Sequence, residues 1–500
     1  MTTAPRPRPR PVRLADIAAL IGRPLAPEWA GVDVTGVTLD SRDVRPGDLY
    51  AALPGHHTHG ARFADAARGA GAVAILTDAE GAGMMPAPAL PVLVVERPRN
   101  RLGAVASTVY GDPAAALQLI GITGTNGKTT VSAMVESGLR AGGRTTGMIG
   151  TTGVVAAGRT FAGARTTPEA PDLHAILGVM RDAHVDTVVM EVSSIAITEG
   201  RVDGIVYDVA AFTNLSQDHL DYHGSMEDYY AAKAELFTPG RARLGIIGVD
   251  DPYGARLARE CRIPVETWSA VNPDADWVLA WGTGRGSVID ADGRLERIDL
   301  RMPGAFNEAN AVCAFAVLRR AGIPAAQAAE GIASATVPGR MQVVGSFDGV
   351  TGIVDYAHSP DAIDRVLASL AASAHGRVIA VVGAGGDRDR TKRPQMGAIA
   401  AALADVLIIT DDNPRSEDPA AIRAAVRAGA LEVATAERAD VREEADRARA
   451  ITVAVSVAEA GDVVVVLGKG HEQGQDVAGV ISPFDDAEVL TAALHVRTST

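Results

Sequence analysis

The run Gly124-Thr125-Asn126-Gly127-Lys128-Thr129-Thr130 constrains the fold of this chain more than any other, because of what stands on either side of it. Before it, residues 117–122 form an apolar run of strand length. After it, Val131, Met134, Val135, Gly138 and Leu139 recur at i, i+3, i+4, i+7 and i+8, one helical face, until Gly142-Gly143 stops the pattern. The order is strand, phosphate loop, helix. Backbone N–H groups at such a helix start cradle phosphate, so all seven residues of the run are expected to bind nucleotide, with ATP the natural choice. Lys128 would neutralise the β- and γ-phosphates and the Thr129 hydroxyl would ligate magnesium. The usual pattern wants glycine at position 122; Ile122 stands there and Gly121 lies one place early, which makes this a variant loop.

Five hundred residues exceed what one core usually serves, and 47% hydrophobic residues suffice to fill two to four domains. A formal net charge of −14 argues against duplex nucleic acid or an anionic membrane as principal partner and turns attention to small molecules. No metal-ligand spacing joins the two cysteines, Cys261 and Cys313, and no secretory signal or apolar run of spanning length is present, so a reducing cytoplasm without membrane insertion is expected. Residues 1–12, with Arg and Pro alternating, are expected to form a disordered tail.

A first domain, 13–112, carries modest strands at 34–39 and 92–95 broken by Gly and Pro. A central domain, 113–338, alternates buried runs (117–122, 187–190, 209–212, 245–249) with helical segments, which indicates a parallel sheet. A third, 339–500, repeats the pattern at 352–354, 378–382, 406–410 and 463–467. Each of these last runs leads directly into charged or glycine residues, and ligands in open α/β sheets bind beyond the carboxyl ends of the strands. The expected class is α/β in three domains, with a P-loop ATPase-like parallel sheet in the centre and a Rossmann-like sheet at the C-terminus.

Glu191 ends the run 187–190, where a carboxylate serves as a magnesium ligand or is satisfied by a helix N-terminus. The segment 214–223 concentrates Asp218, His219, Asp221 and His223; its spacing matches no common zinc site, and a metal on nucleotide phosphates is the more consistent reading. Ser225 and Asp228 form a capping box that opens a helix with Tyr229 and Lys233 on one side. Taken alone, Lys233 reads as a solvated helix charge.

Together these residues resemble the Mur ligases of peptidoglycan synthesis, and within them the UDP-N-acetylmuramoyl-tripeptide synthetases. In the first two domains the resemblance rests on Leu39-Asp40-Ser41-Arg42, the phosphate loop, Thr166-Thr167-Pro168, Glu191-Val192-Ser193-Ser194, residues 218–223 and Gly304-Ala305-Phe306-Asn307-Glu308-Ala309-Asn310. In the third it rests on Pro338-Gly339-Arg340-Met341, Asp355-Tyr356-Ala357-His358, residues 385–390, Asp412-Asn413-Pro414-Arg415 and Gly468-Lys469-Gly470-His471-Glu472.

The resemblance implies that the first domain holds a uridine nucleotide, the second ATP and the third the incoming amino acid. By it, Leu39, Ser41, His56, His57 and Thr58 contact the UDP-sugar, while Thr166, Thr167, Ser193 and Arg201 hold the sugar-peptide. Glu191 and His219 match magnesium ligands, Lys233 matches a lysine that is carbamylated to ligate magnesium, and Asn307 and Arg340 match positions facing the adenine nucleotide. Arg388, Asp412, Asn413, Pro414, Arg415, Gly468 and Glu472 match the amino-acid site, and Asp412-Asn413-Pro414-Arg415 marks members that add meso-diaminopimelate rather than L-lysine. Two positions depart from the family: Ile195 replaces a frequent His and Glu199 a frequent Gln, which puts substrate affinity in question.

The implied reaction joins meso-diaminopimelate to UDP-N-acetylmuramoyl-L-alanyl-D-glutamate through an acyl phosphate. It serves cell-wall precursor synthesis and hence cell shape and division. Lys128, Lys233, Glu191 and His219 are the expected catalytic set, and domain closure would exclude water from the acyl phosphate. The rivals are an L-lysine-adding or other Mur or folylpolyglutamate-type ligase, and a nucleotide switch that forms no bond.

Overall fold

The computed structural model describes residues 5–8, 10–55, 58–85, 89–156, 158–161, 165–280, 287–290, 292–300 and 302–497. The chain divides into two compact units, one of residues 1–298 with 312–332, the other of 299–311 with 333–500.

The first unit contains two sheets that bear on function. A four-stranded parallel sheet takes Gly36–Thr38, Asp48–Ala51, Ala74–Thr77 and Val92–Val94 in sequence order. Val37, Leu49, Leu76 and Leu93 from its strands pack with Leu102, Val105 and Val109 of the helix Arg99–Val109. The second sheet has eleven strands, and its parallel centre runs Thr146–Gly150, Thr187–Glu191, Gln118–Thr123, Val209–Phe212, Gly245–Gly248. Gln118–Thr123, earliest in sequence of these, lies between two later strands: the chain first runs from it to Thr146–Gly150 on one side, and later crosses from Thr187–Glu191 past it to Val209–Phe212 on the other. That is where an open parallel sheet forms a crevice beyond its carboxyl ends. The helix Lys128–Ala141 leaves from that crevice, its apolar stripe Val131, Met134, Val135 and Leu139 fully buried.

The second unit is built on a six-stranded sheet in the order Gln342–Phe347, Val350–Asp355, Val463–Leu467, Val378–Ala384, Val406–Asp411, Asp440–Glu443. Only the Gln342–Phe347 strand is antiparallel. Parallel register aligns Asp355 with Leu467 and Ala384 with Asp411, so the segments after these four strands emerge at one sheet edge. Near-continuous Val, Ile and Leu runs, buried on both faces, are what such a covered sheet demands.

Two expectations are corrected. The run 34–39 is not one strand: Asp33–Val34 pairs antiparallel with Val12–Arg13, while Gly36–Thr38 pairs parallel with Asp48–Ala51. The hydrophobic pattern carried no sign of the second partner. Nor is the described part of residues 1–12 a free tail. Arg6 Nη1 lies 2.6 Å from Asp48 Oδ1, a carboxylate 1% exposed, and Val12 belongs to a strand. A buried carboxylate needs a cation, and the one it takes lies 42 residues away in the sequence, beyond the reach of local pattern.

Candidate functional site

The phosphate loop is held open by a second segment. Thr125 N donates to Asn214 O at 2.9 Å, Asn126 N to Asn214 Oδ1 at 3.0 Å, and Thr213 Oγ1 to Asn126 O at 2.6 Å. Thr125 Oγ1 lies 3.1 Å from the Tyr229 hydroxyl. Gly124, at φ +145°, has no room for a Cβ, which would collide with Thr213 Oγ1, and Gly127 enters the helix at φ +86°. Lys128 Nζ donates to Gly124 O at 2.9 Å and Thr125 O at 2.8 Å, and Thr130 is buried behind the loop.

Glu191 ends its strand 1% exposed, and one of its partners, Thr129, stands in the first turn of the helix Lys128–Ala141. Its carboxylate accepts from Thr129 Oγ1 at 3.0 Å, Thr151 Oγ1 at 3.1 Å and Thr151 N at 2.8 Å. All three donors are neutral, so a buried anion stands beside a hydroxyl with its charge uncompensated by them. This pair of hard oxygen donors at the head of a phosphate loop fits a magnesium ion.

Lys233, read alone as a solvated charge, is 1% exposed on the helix Met226–Ala234. Ser225 caps that helix, accepting from Asp228 N at 3.1 Å. Lys233 Nζ donates to Gly124 O at 2.9 Å and lies 4.6 Å from the Tyr229 ring centre, its i−4 neighbour. Burial, and then the charge of Lys128, pushes its pKa well below the lysine range, which favours the neutral amine. His219 is held with φ at 53° and its pKa is lowered, first by burial, with Lys128 and Lys233 adding to the effect. Among the described residues no group of three His, Cys, Asp or Glu is arranged to hold a metal by itself.

Of the expected sugar-peptide residues, Thr166, Thr167 and Ser193 join the same network, whereas Arg201 pairs within a second group of charges. Thr166 Oγ1 lies 3.2 Å from Thr151 Oγ1; Thr167 Oγ1 donates to Glu191 O at 2.8 Å and accepts from Ser193 N at 3.1 Å. Arg201 Nε lies 3.0 Å from Glu169 Oε1, which Arg165 also approaches at 3.1 Å. Arg99 pairs with Glu169 at 3.1 Å and with Glu199 at 3.3 Å, and the Tyr222 hydroxyl donates to Glu199 at 2.7 Å. The departure Glu199 is therefore compensated by an arginine. Leu39 and Ser41 lie on the turn after Gly36–Thr38, and Thr58 is exposed on a bend; His56 and His57 lie outside the described residues.

In the second unit, Asn307 is 2% exposed at the start of the helix Ala305–Arg320, with Nδ2 donating to Pro303 O at 2.7 Å. Arg340 lies 4.5 Å over the Tyr356 ring and lines a cleft of about 400 Å³ with Met302, Thr336 and Val337.

At the carboxyl edge of the six-stranded sheet the expected amino-acid residues meet. Gly386 N donates to Asn413 O at 2.8 Å and Arg415 Nη1 to Gly386 O at 2.7 Å, so the loops after Val378–Ala384 and Val406–Asp411 are zipped together. Arg415 holds φ at 51°, and its Nε and Nη2 stay outside that bond. Asn413 Nδ2 donates to Glu472 Oε2 at 2.7 Å, which ties in the loop after Val463–Leu467. Pro414 follows Asn413 buried, Asp412 is buried beside Gly468, and Arg388 is exposed on the 385–390 loop.

Sequence reasoning missed Thr151, Asn214, Arg99 and Lys469. Thr151 follows the strand adjacent to Glu191, which only strand order reveals. Lys469 sat inside a quoted motif without a role; it is fully buried, with Nζ 2.9 Å from Asn413 Oδ1.

Three family models match the chain: "Mur ligase family, catalytic domain" over residues 33–110, "Mur ligase middle domain" over 122–318, and "Mur ligase, glutamate ligase domain" over 339–470. A relative from Streptomyces avermitilis named UDP-N-acetylmuramoyl-L-alanyl-D-glutamate--2,6-diaminopimelate ligase is 50% identical over 99% of both chains. A solved structure of a ligase of that name is 30% identical, covers 98% of this chain and 100% of its own, and superposes with a TM-score of 0.69. A MurF ligase from Thermotoga maritima in complex with ADP, 19% identical, covers 92% and 98% with a TM-score of 0.64 and shares the fold.

Proposed function

This chain belongs to the Mur ligase family, and on that premise we propose that it joins meso-diaminopimelate to the D-glutamate carboxyl group of UDP-N-acetylmuramoyl-L-alanyl-D-glutamate at the expense of ATP. The observation that carries the choice of amino acid lies at one sheet edge. There Arg415 and Glu472, a cation and an anion, are presented from loops joined through Asn413. The relatives named for this reaction support it.

A carboxylate resists attack by an amine because its charge repels the nucleophile and oxide is a poor leaving group. The D-glutamate carboxylate attacks the γ-phosphorus of ATP, the bond to the β-phosphate oxygen breaks, and ADP leaves an acyl phosphate. The amine then adds to the acyl carbon, loses a proton, and phosphate departs. Lys128 would offset charge at the transferred phosphoryl group, with the loop N–H groups of residues 124–130. Thr166, Thr167, Ser193 and Arg201 hold the sugar-peptide.

Neutral Lys233 attacks carbon dioxide, giving up a proton to become a carbamate, so a buried amine is converted to an anion. That carbamate, Thr129, Glu191 and His219 would hold magnesium. Bound there, magnesium neutralises phosphate charge. Asn307 and Arg340 take the adenine nucleotide; Leu39, Ser41, His56, His57 and Thr58 take the uridine end; Arg388, Asp412 to Arg415, Gly468 and Glu472 take the amino acid. Among the described residues no helix is long and apolar enough to cross a membrane. An ATP-consuming step on a soluble nucleotide-sugar is assigned to the cytoplasm.

The test is phosphate release measured with each substrate omitted in turn. Release that requires ATP, the UDP-sugar dipeptide and meso-diaminopimelate together is expected. Release indifferent to the amino acid would replace the ligase by a nucleotide switch, and equal use of L-lysine would replace the substrate.

A further inference from the structure

We propose that Lys469 is a positioning residue that fixes the direction of the Glu472 carboxylate and thereby the preference of the amino-acid site for a substrate with a second ammonium group. The proposal rests on the reading of that site given above.

Lys469 follows Gly468 after the strand Val463–Leu467, and its side chain is fully buried. Its Nζ donates to Asn413 Oδ1 at 2.9 Å and to Glu472 Oε2 at 3.2 Å. Asn413 Oδ1 also accepts from Asp476 N at 2.9 Å. Two donors on that oxygen decide which way the amide faces, because a flipped amide would set its NH2 group against an ammonium and a backbone N–H. With the oxygen so engaged, Asn413 Nδ2 is the atom that meets Glu472 Oε2, at 2.7 Å. Both bonds to Glu472 therefore fall on Oε2. Oε1 belongs to neither, and the Glu472 side chain keeps 33% exposure.

The arrangement has a direction. One carboxylate oxygen is tied inward by a buried ammonium and an amide; the other is left for a cationic group at the sheet edge. Arg415, with Nε and Nη2 outside its bond to Gly386, supplies the complementary cation for a carboxylate. Without Lys469 the amide loses the charge that orients it, and Glu472 loses an inward anchor. The loss falls on recognition of the distal ammonium and leaves recognition of the distal carboxylate in place.

The experiment compares meso-diaminopimelate with L-2-aminopimelate, which keeps the distal carboxylate and lacks the distal ammonium. The readout is the ratio of their kcat/KM values, which is independent of the fraction of active enzyme. Lys469→Met is expected to lower this ratio by about 10- to 100-fold, through KM for meso-diaminopimelate, with KM for ATP and the UDP-sugar substrate unchanged. Lys469→Gln, which keeps a donor toward Asn413, is expected to fall between; it also serves if the Met variant does not fold. In a Glu472→Gln background Lys469→Met should leave the ratio unmoved. An equal loss on both substrates, or an undiminished effect in that background, overturns the proposal. A wild-type enzyme that uses neither compound overturns the assignment of the reaction; one that uses both equally overturns the selectivity attributed to Glu472.

Discussion

Lys128 and Lys233 share one acceptor: each ammonium nitrogen lies 2.9 Å from the carbonyl oxygen of Gly124. Two cations on one dipole repel, and the buried member is the one whose protonation is disfavoured. In the proposed reaction this leaves Lys233 as the nucleophile toward carbon dioxide and Lys128 as the partner of the nucleotide.

Lys233→Ala is therefore expected to be nearly inactive and to recover partial activity with formate or acetate, which replace the lost anion. Lys128→Ala should abolish turnover without such rescue. Full activity in either variant, measured by phosphate release, would remove that lysine from the reaction.

The same burial makes stability depend on pH. Between the depressed native pKa of Lys233 and the ordinary value of 10.5, the unfolded chain binds a proton that the native chain does not. Stability rises with pH across that window and is lost as pH falls through the native value. Lys233→Met removes the effect, so in carbon-dioxide-free buffer its advantage in Tm over the wild type should shrink from pH 7 to pH 10. A difference constant with pH would contradict the assignment.

Arg415→Ala should reduce the preference for meso-diaminopimelate over L-lysine by about 10- to 100-fold, because a charged bidentate partner for the second carboxylate is lost. The check is kcat/KM for both amino acids; an undiminished preference would show that Arg415 does not set it.

Glu199 is held by Arg99 and by the Tyr222 hydroxyl, whose pKa is pushed up to about 12 by burial and then by that hydrogen bond. Glu199→Gln leaves Arg99 paired with Glu169 alone, which frees part of its charge for the anionic substrate of the proposed reaction. KM for the UDP-sugar dipeptide should fall by up to about fivefold, the scale of a part-exposed ion pair, with kcat little changed. A rise in KM would mean that Glu199 orders Arg99 for binding.

Arg447 and Asp486 form a fully buried pair, Nε and Nη2 each 2.7 Å from one carboxylate oxygen, and Nη2 also donates to Leu467 O at 3.0 Å. Arg447→Ala should cost about 3–5 kcal/mol by stranding the carboxylate, whereas Arg447→Met with Asp486→Leu should recover most of it. Urea unfolding of the two variants decides this.

What the sequence determined was local. The apolar periods 3.6 and 2, the glycine-lysine-threonine turn and the strand-end motifs were enough for the α/β class, the phosphate loop and the residues after the four strands of the second unit. Such features depend on neighbours within a few residues, where spacing dictates direction. Tertiary structure decided the partners. That Thr151 shares Glu191 with Thr129, that Lys233 lies under Gly124, that Arg6 neutralises Asp48 and that Lys469 orients Asn413 are contacts across 40 to 109 residues. The separations 191−129, 191−151, 233−124, 48−6 and 469−413 leave no trace in local pattern. Burial then changes the chemistry of the groups so joined. A lysine that composition would place in water becomes a poor base only when strand order and helix packing remove its solvent.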